Sequence, residues 1–337
     1  MCCISVIYIF GMHSAKLIMF SNDNLLEINK MIKIKLSLAI SALIVSGTAL
    51  ANPMYINLPN NSYDTNRSIG AADPDTKTGN YTIFGFNDIL ATSIYDYSDN
   101  SIFGSFFDTN IPAELTGVGI SSLPAGTTGT ALDSVSSVTL YHPNTRDTDP
   151  LDPSYNPALG ESDIDGLSPL VPPLGSNNEG FLQTWDLQVL YHFDGTLGAG
   201  GPTYTGGYLD IYFNDLINDA NDRKVLTGTL TGSSIDLANL SLFFDVTFAE
   251  DNFLFINNGS SFVDANDGVV SGNYANFILD TNVDPPVPTA NQLLKINDNV
   301  IRQTSLDGSI TAKIPEPSIL GLLGLGMLGL GRLSRKK

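Results

Sequence analysis

Residues 240–249 read LSLFFDVTFA, and large apolar side chains occupy every second position of this stretch. These side chains are Leu240, Leu242, Phe244, Val246 and Phe248. Residues two apart lie on the same face of a β-strand, so the spacing predicts a strand with one apolar face. A strand with both faces exposed to solvent would not carry five large apolar side chains on one face. We therefore expect this face to be buried in a core.

Similar alternation recurs along the chain and predicts an all-β fold. The side chains expected to point inward in two further strands are Trp185, Leu187, Val189, Tyr191 and Phe193, then Leu209, Ile211 and Phe213. Other candidate strands lie at 81–86, 89–97, 102–107, 135–142, 225–230, 270–279 and 309–313. Turn-forming residues stand at 99–101, 257–259, 266–268 and 307–308. Frequent strands without helical periodicity between them predict an antiparallel β-sandwich or jelly roll over residues 52–314.

Two proline-rich stretches interrupt the alternation. Residues 143–180 carry prolines and aspartates instead of a strand pattern. We expect a long strand-free surface loop within one body, with a boundary between two domains as the alternative. The second stretch, Asp284-Pro285-Pro286-Val287-Pro288, predicts a polyproline-like connection between two late strands.

The charge of the chain excludes one class of partner. The 337 residues include 16 Lys and Arg against 35 Asp and Glu, a formal net charge of −19. The predicted body, 52–314, holds 8 of these basic residues and 32 of the acidic ones. Such an excess repels a phosphate backbone, so we expect no nucleic-acid partner. Cys2 and Cys3 both precede the body, which predicts a body without disulfides.

Residues 31–51 read MIKIKLSLAISALIVSGTALA and have the three parts of a helical signal peptide. Lysines follow Met31, an apolar run covers 36–45, and the small residues Ala49 and Ala51 precede Asn52. We expect the Sec translocon to export the chain and signal peptidase to cut after Ala51. Residues 1–30 are then interpreted as a mis-called upstream extension, with an apolar anchor at 2–12 as the alternative.

Residues 315–337 read PEPSILGLLGLGMLGLGRLSRKK. Pro315, Glu316 and Pro317 stand before an uncharged, glycine-rich apolar segment at 318–331. That segment is short against the ~20 residues that span a bilayer, so it predicts a weak C-terminal transmembrane helix. A basic cluster at its end predicts that the terminus stays on the cytoplasmic side. The cluster consists of Arg332, Arg335, Lys336 and Lys337.

These three parts, in this order, resemble the PEP-CTERM sorting signal of Gram-negative bacteria. The resemblance implies that an exosortase-type membrane protease recognises Pro315-Glu316-Pro317 and cuts near it. It also implies export through the inner membrane to the cell surface or extracellular matrix, in association with exopolysaccharide, biofilm or floc. The runs at 277–282 and 302–309, with the prolines between them, further resemble flocculation-associated PEP-CTERM proteins.

The predicted body offers few residues for catalysis. It contains His142 and His192 but no cysteine and no G-x-S-x-G motif, so we expect neither a nucleophilic triad nor a zinc site. Both histidines are expected at the surface. Asp186, Asp210 and Asp245 share the polar faces of three strands. If these strands are neighbours, the aspartates could line one concave, sugar-binding surface; an ordinary solvated face is the alternative. The accompanying side chains would be His192, Tyr208 and Tyr212.

Two clusters of oxygen ligands suit calcium. The first consists of Asp215, Asn218, Asp219, Asn221 and Asp222, and the second of Asp147, Asp149 and Asp152. Neither has the spacing of an EF-hand loop, and Asx-rich turns satisfy themselves without a metal. We therefore expect no cofactor, with bound Ca²⁺ as the alternative.

Taken together, these features predict an exported, acidic, non-enzymatic surface or extracellular matrix protein. Its expected role is structural or adhesive, in exopolysaccharide, biofilm or floc. The alternatives are an extracellular carbohydrate-active hydrolase that uses carboxylates such as Asp186 and Asp210, or a calcium-dependent carbohydrate-binding adhesin.

Overall fold

The computed structural model describes residues 6–7, 18–19, 51–64, 76–119, 127–140, 161–164, 177–272 and 275–313. The chain divides into two units, residues 1–50 and 51–337. In the first unit, β1 (Val6–Ile7) and β2 (Ile18–Met19) pair antiparallel. The predicted signal peptide before Ala51 and the predicted sorting segment 315–337 lie outside the described residues.

The second unit consists mainly of strands, which confirms the predicted all-β class. The strands are β3 (Met54–Ile56), β4 (Ile83–Asp96), β5 (Gly104–Thr109), β6 (Thr127–Thr130), β7 (Ser137–Leu140), β8 (Glu161–Ile164), β9 (Trp185–Gly198), β10 (Gly201–Asp215), β11 (Arg223–Asp236), β12 (Asn239–Ala249), β13 (Leu254–Asn257), β14 (Phe262–Asp264), β15 (Asn276–Asn282), β16 (Leu294–Ile296) and β17 (Asn299–Lys313). The helices are α1 (Pro112–Gly117) and α2 (Ala265–Ser271), with 3₁₀ turns at Asp219–Asn221 and Ala290–Gln292.

Eight antiparallel strands form a closed ring in the order β4-β5-β9-β10-β11-β12-β15-β17. The ring closes because β17 also pairs with β4, where Ile301 lies opposite Ile94 and Ile310 opposite Phe84. One curled sheet thus surrounds the core, and its opposite walls face each other as the two layers of a sandwich do. Closure leaves these eight strands with neighbours on both sides, which protects them from edge-to-edge aggregation.

The alternation seen in the sequence explains which side chains fill this ring. All the residues expected inward in β9 and β10 are buried, and Trp185 and Phe213 are fully enclosed. Their rings stack with centroids 5.8 Å apart, and the indole N–H of Trp185 donates a hydrogen bond to the carbonyl oxygen of Glu179 at 2.9 Å. The described residues of the body include no cysteine, so no disulfide among them contributes to stability. Burial of these aromatic side chains stabilises the body instead.

Phe248 is the exception to the predicted pattern. Leu240, Leu242, Phe244 and Val246 of β12 are buried as expected, whereas 41% of Phe248 is exposed. The pairing of β11 with β12 changes register between Thr227 and Gly228, opposite this point. The inward prediction for Phe248 is therefore wrong, because two successive residues there face solvent.

Several predicted boundaries need correction. The candidates 81–86 and 89–97 belong to one strand, β4, and β8 lies inside the predicted strand-free loop 143–180. The expected turn at 266–268 lies within α2, because the Asp264 carboxylate caps the helix by accepting from Asn266 N at 2.8 Å. The candidate strand 270–279 consequently begins only at Asn276.

The expected turn at 307–308 is a register shift within β17. A Cβ at Gly308 would lie 2.7 Å from the ring of Phe86, so the close approach of that ring favours glycine. The turns at 99–101 and 257–259 do separate strands, as predicted. The proline cluster connects β15 to the segment before β16, as predicted, and a cis peptide bond joins Asp284 to Pro285.

Some elements cover the outside of the ring or one of its ends. A second apolar cluster beneath α1, β7 and β16 consists of Ile94, Leu115, Leu140, Leu294 and Ile301. The sheet of β3, β13 and β14 lies at one end of the ring, which we call the base. There Met54 and Ile56 are buried beside Leu187 and Ile211. The opposite end, the mouth, carries the turns that join β9 to β10 and β11 to β12.

Both ends of the described body lie at the base. The backbone N–H of Asn52 donates to the carbonyl oxygen of Ala312 at 2.9 Å, one residue before the end of β17. No helix within the described ranges combines the length and apolar character that crossing a membrane requires. The predicted apolar segments 36–45 and 318–331 lie outside those ranges.

Candidate functional site

The three aspartates that could have lined one sugar-binding surface lie on the outside of the ring but do not meet. Asp186 of β9 is opposite Asn214, whereas Asp210 of β10 is opposite Leu190. The first two carboxylates are thus separated by four residues along the strands, roughly 13 Å. Strand β11 lies between Asp210 and Asp245.

This arrangement differs from the predicted concave surface. The outer face of a closed ring is convex, and the register keeps Asp186 and Asp210 beyond the ~5–10 Å that separates the carboxylates of glycosidases. Tyr208 and Tyr212 share the same face, paired with Thr229 and Lys224 of β11. The register therefore does not bring these aspartates together on one concave surface, which was the possibility left open beside an ordinary solvated face.

Each of these aspartates is bound to a neighbouring strand. Asp186 accepts from Asn214 Nδ2 at 3.0 Å, Asp210 from Thr227 Oγ1 at 2.6 Å, and Asp245 from Asn276 Nδ2 at 2.6 Å. Burial, with a smaller contribution from the negative charge of Asp222 and against the effect of the Asn214 bond, raises the pKa of Asp186 to about 6. These carboxylates act as links across the sheet.

His192 lies on the outer face with polar partners on both ring nitrogens. Its Nδ1 is 2.8 Å from Glu114 Oε2 and its Nε2 is 3.2 Å from Asp194 Oδ1. The ring also stacks with Phe107 and Tyr208, at centroid distances of 5.3 and 6.1 Å. Burial lowers the pKa of His192, but the bonds and charges of Glu114 and Asp194 outweigh it and raise the pKa. His192 is thus a paired surface residue, as expected, and His142 lies outside the described residues.

Asp215 organises the first of the two predicted calcium clusters. One carboxylate oxygen accepts from Tyr63 Oη and Asn221 Nδ2, each at 2.6 Å, and the other from the N–H groups of Ile217 and Asn218 at 2.9 and 3.0 Å. Burial raises the pKa of Asp215, but these four bonds lower it below its usual value. The oxygens therefore already serve protein donors.

The remaining calcium ligands do not add a site within the described ranges. Oδ1 of Asp222 accepts from the N–H of Asp215 at 2.7 Å. Among the described residues, no group of three or more His, Cys, Asp and Glu side chains could hold a metal ion. Asp147, Asp149 and Asp152 lie outside them, so bound calcium at that cluster stays the untested alternative.

A cavity of about 270 Å³ lies inside the ring towards its mouth. Seven ring strands contribute side chains to its wall. The polar lining includes Ser93, Tyr95, Asp108, Tyr191, Tyr204 and Arg302, and the apolar lining includes Phe193, Leu240, Leu242 and Leu279. The exposed residues Asn282 and Asp284 also border it, so the cavity opens to solvent at the mouth.

Two hydrogen-bonded groups shape the polar wall of this cavity. Tyr204 Oη donates to Asp108 Oδ2. Arg302 donates from Nη1 to Pro285 O at 3.1 Å and from Nη2 to Asp284 O at 2.9 Å. Burial raises the pKa of Asp108, although the hydroxyls of Ser93 and Tyr204 and the charge of Arg302 lower it in part.

Sequence reasoning did not single out this wall. Asp108 and Arg302 stand two residues after Phe106 and Val300, so each occupies a position whose alternation points inward. A charged residue in the apolar register of a strand was the available signal. The spacing of the sequence also places Tyr191 inward, where its hydroxyl group reaches this wall.

The C-terminal segment matches the family model of the PEP-CTERM protein-sorting motif over residues 313–336. No curated protein and no solved structure gives a significant match to the chain. The match confirms the family resemblance, while the individual roles of Pro315, Glu316, Pro317 and the basic cluster stay predictions. So do those of Ala49 and Ala51.

The position of the match relates the motif to the fold. It begins at Lys313, the last residue of β17, so the motif follows the final strand of the ring directly. A PEP-CTERM signal implies processing by exosortase, export and cell-surface targeting in Gram-negative bacteria. This chain therefore carries a PEP-CTERM sorting domain immediately behind a closed, antiparallel all-β body.

Proposed function

We propose that this protein is a non-enzymatic component of the cell surface or extracellular matrix, with a structural or adhesive role in exopolysaccharide, biofilm or floc. The observation that carries the proposal is the sorting motif at 313–336, which begins where the last strand ends. A folded body attached to such a signal is delivered outside the inner membrane. The Sec translocon and signal peptidase act on the N-terminal side of this route.

The body has properties that support a structural role outside the cell. Its ring is closed, and Asp186, Asp210 and Asp245 tie neighbouring strands together on the outer face. The formal charge of −19 keeps such a protein hydrated and soluble. The outward aspartates stand apart instead of forming a carboxylate pair, which favours a non-enzymatic role.

The sorting step is tested by replacing the two prolines of the motif. Both variants carry an epitope tag at the C-terminus. We expect the double variant Pro315→Ala/Pro317→Ala to accumulate in the inner membrane with this tag still attached. The matched control is Pro169→Ala/Pro172→Ala, which makes the same chemical change outside the motif. Cell fractionation and immunoblotting measure both variants. Release of the double variant at the control's rate would contradict exosortase recognition of this motif.

The matrix role is tested with secreted protein purified from the culture medium. We expect retention on the host's own polysaccharide without release of new reducing ends. Turnover that is lost in Asp210→Asn would instead establish the hydrolase alternative. A calcium-dependent adhesin would bind less after chelation and show a higher Tm with added Ca²⁺.

A further inference from the structure

We propose that the cavity inside the ring binds one neutral polyhydroxy ring of monosaccharide size, held by Asp108, Tyr191 and Arg302. This site goes beyond the proposed matrix role and does not depend on it. It lies inside the ring, whereas Asp186 and Asp210 lie outside.

Three buried polar atoms in the cavity wall have no hydrogen-bond partner among the described residues. They are Asp108 Oδ1, Tyr191 Oη and Arg302 Nε. Only 2% of Tyr191 and 4% of Arg302 is exposed. Buried polar groups in native proteins are paired as a rule, so three unpaired atoms on one cavity indicate that a polar guest completes them.

The types of these atoms indicate hydroxyl groups. Asp108 Oδ1 accepts when ionised, Arg302 Nε donates, and Tyr191 Oη can do either. Each hydroxyl of a polyol both donates and accepts, so two or three neighbouring hydroxyls satisfy all three atoms. A guest with only acceptors or only donors would leave at least one of them unpaired.

The charges in the wall favour a neutral guest. Asp108 and Arg302 contribute one negative and one positive group to the same cavity. Both terminal nitrogens of Arg302 already donate to the carbonyls of Asp284 and Pro285. Each of these bonds uses one N–H of its terminal nitrogen, and Nε is the guanidinium nitrogen that has no partner among the described residues. A neutral guest leaves the charges of Asp108 and Arg302 to balance each other within the cavity.

The rest of the cavity fits the carbon face and the size of a sugar ring. Leu240, Leu242 and Leu279 form an apolar wall that can pack against the C–H groups of a pyranose. The volume of about 270 Å³ lies just below the range of ~300–1,000 Å³ for pockets that take drug-sized ligands. One sugar unit fits such a space, whether it is a free monosaccharide or the end unit of a chain.

The opening at the mouth is fixed in place by the same residues. Arg302 holds the backbone at Asp284 and Pro285, and exposed Asp284 borders the cavity. The rim is thus shaped before a guest arrives, which lowers the ordering cost of binding.

The experiment titrates the secreted protein with a panel of saccharides and measures binding by calorimetry and ligand-observed NMR. The panel contains neutral hexoses and pentoses, glucuronate, glucosamine, and neutral oligosaccharides with free or capped ends. We expect saturable binding of at least one neutral sugar and weaker binding of its charged analogues. Binding of free monosaccharides identifies a soluble ligand, whereas binding of oligosaccharide ends alone identifies a chain terminus. Absence of binding by every neutral sugar would overturn the proposal.

Variants locate the binding within the ring. Tyr191→Phe removes only the unpaired hydroxyl, and we expect it to weaken binding by about 10-fold or more. Tyr208→Phe makes the same change on the outer face and should bind as the wild type does. Leu279→Phe fills the cavity without touching a polar group and should abolish binding even if Asp108→Asn does not fold. Wild-type affinity in both Tyr191→Phe and Leu279→Phe would place the ligand elsewhere and refute the site.

Discussion

At the scale of single residues, the buried negative charge of Asp186 lowers the stability of the folded state. Only 5% of it is exposed, and its one described hydrogen bond comes from Asn214 at 3.0 Å. Its pKa is raised to about 6, above the ~3.9 of an unfolded chain. The folded state therefore binds the proton more tightly, and ionisation reduces stability as the pH rises from about 4 to about 6. The penalty persists at higher pH.

We predict that Asp186→Asn raises the free energy of unfolding at pH 7.5, by about 1–3 kcal/mol. The amide removes the buried charge and keeps an oxygen for Asn214. The decline of stability between pH 4 and 6 should also become shallower. Urea denaturation followed by the fluorescence of Trp185, the single tryptophan of the chain, measures both effects. Asp236→Asn, at an exposed position, is the control. A less stable Asp186→Asn at pH 7.5 would count against this account.

His192 responds to pH in the same sense as Asp186, but at higher pH, because its pKa is also raised above the unfolded value. Its pKa is raised, so its contribution to stability is fully present below pH ~6.5 and is lost as the pH rises through the folded value. We predict that Glu114→Gln lowers the pKa of His192, as read from an NMR titration of its imidazole. Asp194→Asn should lower it less, because that contact is longer and 62% of the Asp194 side chain is exposed. An unchanged titration in Glu114→Gln would contradict the assigned ion pair.

Individual residues show where the alternation of apolar and polar side chains predicts burial correctly and where it does not. It placed Trp185 and Phe213 correctly because each side chain of an uninterrupted strand follows from its neighbour. Phe248 failed because a bulge in β11–β12 pairing shifts the register. Asp108 and Arg302 were missed because a charge suggests the solvent face, although their spacing from buried Phe106 and Val300 points inward.

At the scale of elements, β10 depends on a bulge next to β9. The register shifts between Tyr204 and Gly206, and the following residue, Gly207, has a φ of 124°. A Cβ at Gly207 would lie 2.1 Å from the carbonyl oxygen of His192. Side chains other than that of glycine are thus excluded by both backbone strain and a backbone clash.

We predict that Gly207→Ala lowers the free energy of unfolding by about 2–4 kcal/mol. Gly206→Ala is the matched control, because no atom lies within 4 Å of its added Cβ, and its effect should stay within about 1 kcal/mol. Chemical denaturation of both variants gives the comparison. Equal effects at the two positions would show that the bulge does not constrain Gly207.

Element boundaries were predictable only where turn residues coincided with breaks in pairing. Residues 87–88 separate two candidate strands in the sequence, yet β4 continues through them because β17 pairs on both sides of them, at Phe86 and Ile89. Residues 265–271 are too few to show helical periodicity, and the Asp264 cap decides their structure. In both cases a contact made by the folded chain overrode the local pattern.

At the scale of the whole molecule, closure of the ring was beyond the reach of local patterns. It depends on β17 pairing with β4, two strands more than two hundred residues apart in the chain. Alternation establishes that each strand has one buried face, but a sandwich and a closed ring have the same alternation. The sorting motif was recognisable because its three parts are contiguous and need no fold to be read.

The exported chain should begin at Asn52. The N–H of this residue already donates to Ala312, so removal of the preceding residues leaves the base of the ring intact. We predict that N-terminal sequencing of the secreted protein reads Asn52 first, and that Ala51→Leu yields a longer precursor. Ala39→Leu, in the apolar run, should be cut normally. A secreted protein that starts upstream of Met31 would refute the predicted signal peptide.

The hydrogen bond between Asn52 and Ala312 places the two ends of the described body side by side at the base. Arg302 at the mouth and Ala312 at the base are ten residues apart on β17, roughly 30 Å along the strand. A molecule still tethered by its tail would stand with the base towards the lipid and the sugar pocket towards the medium. After both cleavages, the new N-terminus and the new C-terminus would lie side by side at the base. The mouth of the ring would be unchanged by the processing.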